Sequence, residues 1–274
     1  MTEAIAVHPA AGSHAIEVMA LAVEWDRHLS PDGLAQIEEL YKSSPQLQAF
    51  LPRIDHIQGV SLQFGDDGTT VSNQETGGLQ LQQIRENGSP SWTVSVRPDL
   101  IACNCLIYDR WNSVKPKAMD ILMPIVEKVF NMGHKVQAVG LQYQDSFRVM
   151  TESPIEATAR LFRHDGKWLS PHVWNTDGSW HIHQGWFSSA EKSRKIHNLL
   201  NIDFVSEFES GLVRINGQHR ALATDFKGIT PLPFELDDVS SALDGLHLDN
   251  KRALHNLLCE SVCNQIGLTV SEVM

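Results

Sequence analysis

The chain contains little cysteine and no long apolar run. Four of its 274 residues are cysteine, and these are predicted to be small buried thiols in a reducing compartment. No apolar stretch approaches the roughly 20 residues that span a bilayer, so no membrane segment is predicted. The opening segment MTEAIAVHPAAGSHAIEV has neither a basic leader nor an apolar core, so no secretory signal is predicted. Together these absences predict a cytoplasmic protein.

Basic residues are outnumbered by acidic ones. Lys and Arg number 22 and Asp and Glu 33, which gives a formal net charge of −11. Binding to nucleic acid or to an anionic membrane requires clustered Lys and Arg. The densest basic cluster, residues 192–195, is short, and it is typical of a solvated helix face. The composition therefore predicts no direct nucleic-acid partner and no membrane partner.

The standard catalytic motifs are also missing. The sequence contains no glycine-rich phosphate loop ending in Lys-Ser/Thr and no G-x-G-x-x-G between a strand and a helix. It contains no G-x-S-x-G elbow and no H-E-x-x-H helix. We therefore predict no catalytic residue and no cofactor-binding residue from motifs.

The first half, residues 1–150, is predicted to be an α+β unit with the order β-α-β-β-β-β-α-β. Residues 15–25 have two apolar faces, which is typical of a buried strand. Ser30 and Pro31 then supply the capping residue and the first-turn proline of a helix. A long central helix from Ser113 to Gly133 is predicted to kink or break at Pro124. A strand over residues 136–149 completes the half.

The second half, residues 151–274, is predicted to be rich in strands and to end in a helix from Asp238 to Ile266. Gly217 is expected to mark a turn or a bulge. Because hairpins are frequent and no βαβ unit repeats, the fold class is α+β. It is predicted to have mixed, mostly antiparallel sheets in two halves, a kinked central helix and a long C-terminal helix. The predicted strands of the second half are residues 158–163, 172–174, 180–187, 202–209 and 212–226.

A histidine-rich hairpin is the most distinctive local pattern. Asp177-Gly178 is a strong signal for a tight turn. A hairpin around it would place four side chains on one face, opposite an apolar face that must be the core face. These four are His172, Trp174, His181 and His183.

Two interpretations of this face stay open. Three converging imidazoles, from His172, His181 and His183, are a ligand set that zinc or another transition metal accepts, with a fourth position open for water. Alternatively the same histidines with Trp174 form a protein-interaction surface, on which the indole is an anchor.

Several segments give the chain a resemblance to a known group of proteins. They are HAIEVMALAVEW with the helix and strand that follow, WTVSVRPDLIACNCLIYDRW, VQAVGLQYQDSF and LDGLHLDNKRALHNLLCESV. In this order they resemble a sporadically distributed family of uncharacterised prokaryotic proteins of similar length. The resemblance implies no activity, but the patchy distribution implies a defence, counter-defence or antitoxin setting. Where that family tends to have Arg-Tyr and then Asn-Arg, this chain has Gln142-Tyr143 and Asp145-Ser146, so a role of those basic residues does not carry over.

We therefore expect a non-catalytic module that binds another protein, with self-association left open. The first alternative is a metal-dependent hydrolase that uses the histidine hairpin. The second alternative is a small-molecule sensor.

Overall fold

The computed structural model describes residues 7–10, 14–65, 68–151, 153–189 and 194–269. The chain divides into two compact units. The N-terminal unit comprises Ala20–Val139 and Leu232–Ser240, and the C-terminal unit comprises Met1–Met19, Gly140–Pro231 and Ser241–Met274. These limits differ from the predicted division at residue 150, because the strand residues after Val139 belong to the C-terminal unit.

The N-terminal unit combines an antiparallel sheet with helices. Neighbouring strands follow the order β3-β4-β5-β6-β2. Strand β3 pairs with β4, β4 with β5 and β5 with β6, each in antiparallel fashion. Its elements are β2 (Ile16–Trp25), α1 (Pro31–Ser43), α2 (Pro45–Phe50), β3 (Arg53–Gly65), β4 (Gly68–Ile84), β5 (Pro90–Val96), β6 (Leu100–Cys105) and α3 (Trp111–Asn131).

Helix α1 begins where the sequence predicts it. The Ser30 side chain accepts a hydrogen bond from the Gly33 N–H at 3.1 Å, and Pro31 occupies the first turn. Such a cap satisfies one of the amide groups that a helix start leaves without a partner. The apolar residues Leu34 and Ile37 are buried, so the predicted helix and its apolar stripe are confirmed.

Helix α3 runs through both of its prolines. It extends from Trp111 to Asn131 with Pro116 and Pro124 inside it, so the alternative of a break at Pro124 is wrong. The buried side chains Ile121, Leu122 and Ile125 flank the second proline. Burial of this apolar stripe compensates for the hydrogen bond that proline removes.

The C-terminal unit is also built on an antiparallel sheet. The strand order is β7-β10-β9-β8, and β1 pairs with β7. Strands β9 and β10 pair in antiparallel fashion, as do β8 and β9. Its elements are β1 (Val7–Pro9), β7 (Val136–Val149), α4 (Pro154–Leu161), a 3-10 helix η1 (Pro171–Asn175), β8 (Trp180–Ser189), β9 (Arg194–Glu207), β10 (Ser210–Asp225), α5 (Leu236–Leu257) and α6 (Glu260–Gln265).

Aromatic side chains fill the core of the C-terminal unit. Trp180 on β8 is paired with Phe204 on β9, and their rings stack with centroids 5.7 Å apart. Phe162 also packs against Trp180, with ring centroids 5.9 Å apart. A side chain at Gly211 would lie 2.6 Å from the Phe204 ring, so glycine is required for this close approach.

Outside the histidine hairpin, three predictions for the second half are wrong. Residues 158–161, predicted as strand, end helix α4, which Ser153 caps and Pro154 begins. The predicted helix over residues 238–266 is interrupted between α5 and α6, because Leu258 forms a β-bridge with Phe162 and the Cys259 N–H bonds to a carbonyl at residue 161. Gly217 is paired in register and forms no bulge; an added Cβ there would lie 2.6 Å from Asn250 Oδ1.

In the described part of the chain, no helix combines the length and the apolar character needed to cross a membrane.

Candidate functional site: a strand-end surface and a buried polar cluster

The predicted histidine hairpin does not form. Residues 171–175 make the 3-10 helix η1, and β8 pairs with β9 instead. Pro171 explains the difference, because its fixed φ favours a turn and its missing N–H cannot serve a strand ladder. The Thr176 hydroxyl donates to the His172 carbonyl at 2.9 Å and holds this turn.

His172 and Trp174 therefore lie away from the exposed face of β8. His172 Nδ1 is 2.9 Å from Ser170 Oγ within the same turn. The Trp174 ring packs against the core of the C-terminal unit and lies 4.6 Å from the His164 ring. Because the indole already has these contacts, it is not an exposed anchor.

His181 and His183 do share the exposed face of β8. His181 Nδ1 lies 2.6 Å from Asp203 Oδ1 on the neighbouring strand, and His183 is opposite Asn201. The structure thus brings together two of the three predicted metal ligands. Among the described residues, no group of three or more His, Cys, Asp or Glu side chains has the arrangement of a metal site. A role in metal binding stays a prediction.

Further along the same face, an aromatic and basic cluster lies where β8 ends and β9 begins. Phe187 is 52% exposed and is directly opposite His197, whose ring stacks on it with centroids 5.0 Å apart. Lys195 Nζ lies 4.1 Å from the centre of the Phe187 ring, which is a cation–π contact. Arg220 on β10 is opposite His197.

The turn after β10 adds two exposed apolar side chains to this cluster. Phe226 is 46% exposed and Ile229 is 76% exposed. In the sequence they lie on either side of Gly228. A Cβ atom built at Gly228 would lie 3.8 Å from Lys195 Nζ, so the Lys195 ammonium lies between the Phe187 ring and this turn. We call Phe187, Phe226 and Ile229, with Lys195, His197, Arg220 and Lys227, the strand-end patch.

Asp225 makes the turn rigid. Its carboxylate accepts hydrogen bonds from the backbone N–H groups of Ile229 at 2.7 Å and Thr230 at 3.1 Å. These bonds lower the pKa of Asp225. Gly228 adopts φ +73°, the left-handed conformation that glycine allows. The exposed side chains of the turn are therefore presented on a fixed backbone.

The opposite face of the sheet contains a buried polar cluster. Asn198 Nδ2 donates to Ser188 Oγ at 2.9 Å, which leaves Asn198 Oδ1 to accept from His219 Nδ1 at 2.7 Å. The Asn250 side chain on α5 lies 3.2 Å from His219 Nε2. A neutral imidazole donates through one nitrogen only, so Asn250 must present its NH₂ group to Nε2 when His219 is neutral.

Burial keeps His219 neutral. The ring is 2% exposed, and burial lowers its pKa to about 4. Charging the ring would place a cation in the core. The cluster thus holds a neutral histidine between two amides.

Two segments that carry the family resemblance also meet inside the C-terminal unit. The Tyr143 hydroxyl on β7 lies 2.9 Å from His247 Nδ1 on α5. Two residues along β7, Asp145 is 2% exposed. Burial, with a smaller contribution from the negative charge of Glu17, raises the pKa of Asp145 to about 7.

All four cysteine thiols are free. Cys103 and Cys105 on β6 are buried, as is Cys263 on α6, and Cys259 is half-buried. Burial raises the pKa of each of the four thiols, so the reactive thiolate form is scarce at neutral pH.

The strand-end patch could not be read from the sequence, because it depends on which strands pair. Lys195 belongs to the cluster predicted as a solvated helix face, and that prediction is wrong at this residue, because Lys195 lies on strand β9. Phe187 is the last residue of the predicted strand 180–187, and the sequence predicts no functional role for it. The signal that was available is the segment Asp225-Phe226-Lys227-Gly228-Ile229, a turn with exposed apolar residues on either side of a glycine.

The fold and this surface define an α+β protein with antiparallel sheets and an exposed apolar and basic patch. No family model and no curated protein matches the chain. Among solved structures, a crystal structure of the di-domain ARO/CYC BexL matches over 92% of this chain and 97% of that chain, at 9% identity and a TM-score of 0.18. A likeness this weak supports no statement about the fold or the function of the present chain.

Proposed function

We propose that this protein is a non-catalytic module that binds another protein through the strand-end patch. The observation that carries the proposal is the exposure of Phe187, Phe226 and Ile229 around Lys195. Exposed apolar clusters rimmed by polar groups mark interaction sites. Phenylalanine and arginine are among the residue types that are enriched at protein–protein interfaces.

The rigidity of the patch supports the same function. The Asp225 hydrogen bonds fix the turn, and the paired strands β8 and β9 fix Phe187 and His197. A surface ordered before binding loses little conformational entropy when a partner docks. A defence, counter-defence or antitoxin setting is part of the proposal, and it rests on the family resemblance alone.

The test is affinity capture of the tagged protein at its native expression level, read by mass spectrometry, with two matched variants. Phe187→Ser removes the aromatic centre of the patch. Phe208→Ser removes a phenylalanine that is 90% exposed in the turn after β9, at the opposite end of that strand. Both changes affect exposed side chains, so both variants should fold.

The expected result is a stoichiometric protein that Phe208→Ser retains and Phe187→Ser loses. Capture of the same protein by Phe187→Ser at an unchanged level would place binding elsewhere. If the natural protein captures nothing, the proposal fails.

A further inference from the structure

The charge of the strand-end patch is opposite in sign to that of the whole chain. The chain has a formal net charge of −11, whereas the patch has the three basic side chains Lys195, Arg220 and Lys227. The carboxylate of the same turn, Asp225, keeps its charge, because backbone N–H groups lower its pKa, but the three basic side chains outnumber it. The patch is thus a local positive site on an acidic protein.

The positions of these charges relative to the apolar side chains indicate what the patch recognises. Lys195 Nζ lies 4.1 Å above the Phe187 ring and close to Gly228 of the turn. The ammonium group therefore lies between an aromatic ring and the backbone of the turn that carries the exposed residues Phe226 and Ile229. A partner that places a carboxylate on Lys195 brings its own neighbouring apolar side chains onto Phe187 and Ile229.

We infer that the strand-end patch binds an acidic polypeptide segment in which carboxylates alternate with apolar side chains. This inference rests on the proposed function and names the chemistry of its partner. Carboxylates complement the basic side chains of the patch, and charge complementarity of this kind gives specificity and a fast on-rate. The apolar side chains of the segment supply the buried area.

A polypeptide fits this surface better than a nucleic acid does. Single-stranded nucleic acids bind on aromatic stacking platforms within continuous basic grooves. Here the most exposed apolar side chain is the aliphatic Ile229, which offers no ring for stacking. The net negative charge of the chain also repels a long polyanion more strongly than a short acidic segment.

The experiment uses an array of acidic peptides with leucine or phenylalanine at varied spacing. Each peptide has a counterpart in which every Glu is replaced by Gln, and oligothymidine is probed alongside. The full chain is compared with Lys195→Gln and with the control Arg214→Gln. Arg214 is an exposed arginine on β10, six residues and roughly 20 Å along the strand from Arg220.

We expect the natural protein to bind acidic peptides in preference to their Gln counterparts. Measured by fluorescence anisotropy, Lys195→Gln should weaken the affinity for the selected peptide about 3- to 10-fold. Arg214→Gln should leave the affinity within about 2-fold of that of the natural protein, because an exposed charge that does not contact the peptide contributes little. Raising the salt concentration should weaken binding as well, since exposed charges are screened.

Four outcomes would overturn the inference. They are equal binding of acidic and Gln peptides, no binding of any peptide, stronger binding of oligothymidine, and a dimer in light scattering that Phe187→Ser dissociates. If any of these occurs while affinity capture still depends on Phe187, the proposed function stands and only the chemistry of the partner is wrong. If capture does not depend on Phe187, both fail.

Discussion

Two buried residues of the C-terminal unit have opposite effects on stability as the pH changes. The pKa of Asp145 is raised to about 7 in the folded protein, so the folded state binds this proton more tightly than the unfolded state does. The stabilising contribution of the protonated Asp145 to the free energy of unfolding is fully present at low pH. It is lost as the pH rises from about 4 to about 7. The pKa of His219 is lowered to about 4, so its contribution is lost as the pH falls from about 6.5 to about 4.

The substitution Asp145→Asn separates these two effects. At pH 8 it removes a buried carboxylate, and we expect the free energy of unfolding to rise by about 2–4 kcal/mol. At pH 4, where the carboxyl is protonated in the folded state, the two proteins should differ little. The free energy of unfolding of the variant should fall below about pH 6.5, because His219 is the one of the two buried groups that still titrates.

Urea unfolding at several pH values from 4 to 8 measures this difference. Asp177→Asn is the control, because it makes the same chemical change at an exposed aspartate, where substitutions change the free energy of unfolding by less than about 0.5 kcal/mol. A stabilisation by Asp145→Asn that is the same at pH 4 and pH 8 would show that the carboxyl does not titrate as described.

At the scale of elements, one dipeptide recurs at helix starts. Ser-Pro begins α1 at residues 30–31, α2 at 44–45, α4 at 153–154 and η1 at 170–171. The serine is the N-cap in each case, and the proline occupies the first turn, where its missing N–H costs nothing. In α1, α2 and α4 the serine oxygen also accepts a backbone hydrogen bond.

Ser30→Ala should therefore destabilise the protein by about 1 kcal/mol, since the bond to the Gly33 amide is lost. Ser43 is a control at the other end of the same helix, where its hydroxyl bonds back to the carbonyls of Glu39 and Leu40. Such bonds contribute little to a helix, so Ser43→Ala should change the free energy of unfolding by less than about 0.5 kcal/mol. Equal effects of the two substitutions in urea unfolding would contradict the capping role.

The same dipeptide shows how far the sequence could predict the fold. The dipeptide Ser30-Pro31 predicted the start of α1 correctly, because apolar residues at helical spacing follow Pro31. The helix at Pro154 and the turn at Pro171 were missed, because the short segments after them are equally compatible with a strand. Ser89-Pro90 begins β5 and no helix, so the dipeptide alone does not decide the structure. The order of the strands and the partner of β8 depend on distant contacts, which is why the strand-end patch was not predicted.

At the scale of the whole molecule, each compact unit is assembled from segments that are separated in sequence. The C-terminal unit takes most of β7 from before residue 150, and Phe147 and Val149 lie in its core. Strand β10 is next to β7 in the sheet. A cut at the predicted boundary therefore removes from this unit a neighbouring strand and, together with Ala15, three core side chains.

We expect fragment 151–274 to show no cooperative unfolding transition in thermal circular dichroism, because β10 would become an unpaired edge over a depleted core. Mixing it with fragment 1–150, which supplies β7, should restore part of the native signal. A sharp transition of fragment 151–274 alone would show that the predicted boundary separates independent domains.

The burial of the four thiols has a practical consequence for observing this molecule in action. Because each thiolate is disfavoured, a cysteine introduced at an exposed position would react with a maleimide dye far faster than the native ones. A fluorophore placed in the turn that Asp225 holds would report docking in real time. The natural sequence thus already serves as a background for single-site labelling, with no cysteine removed from its core.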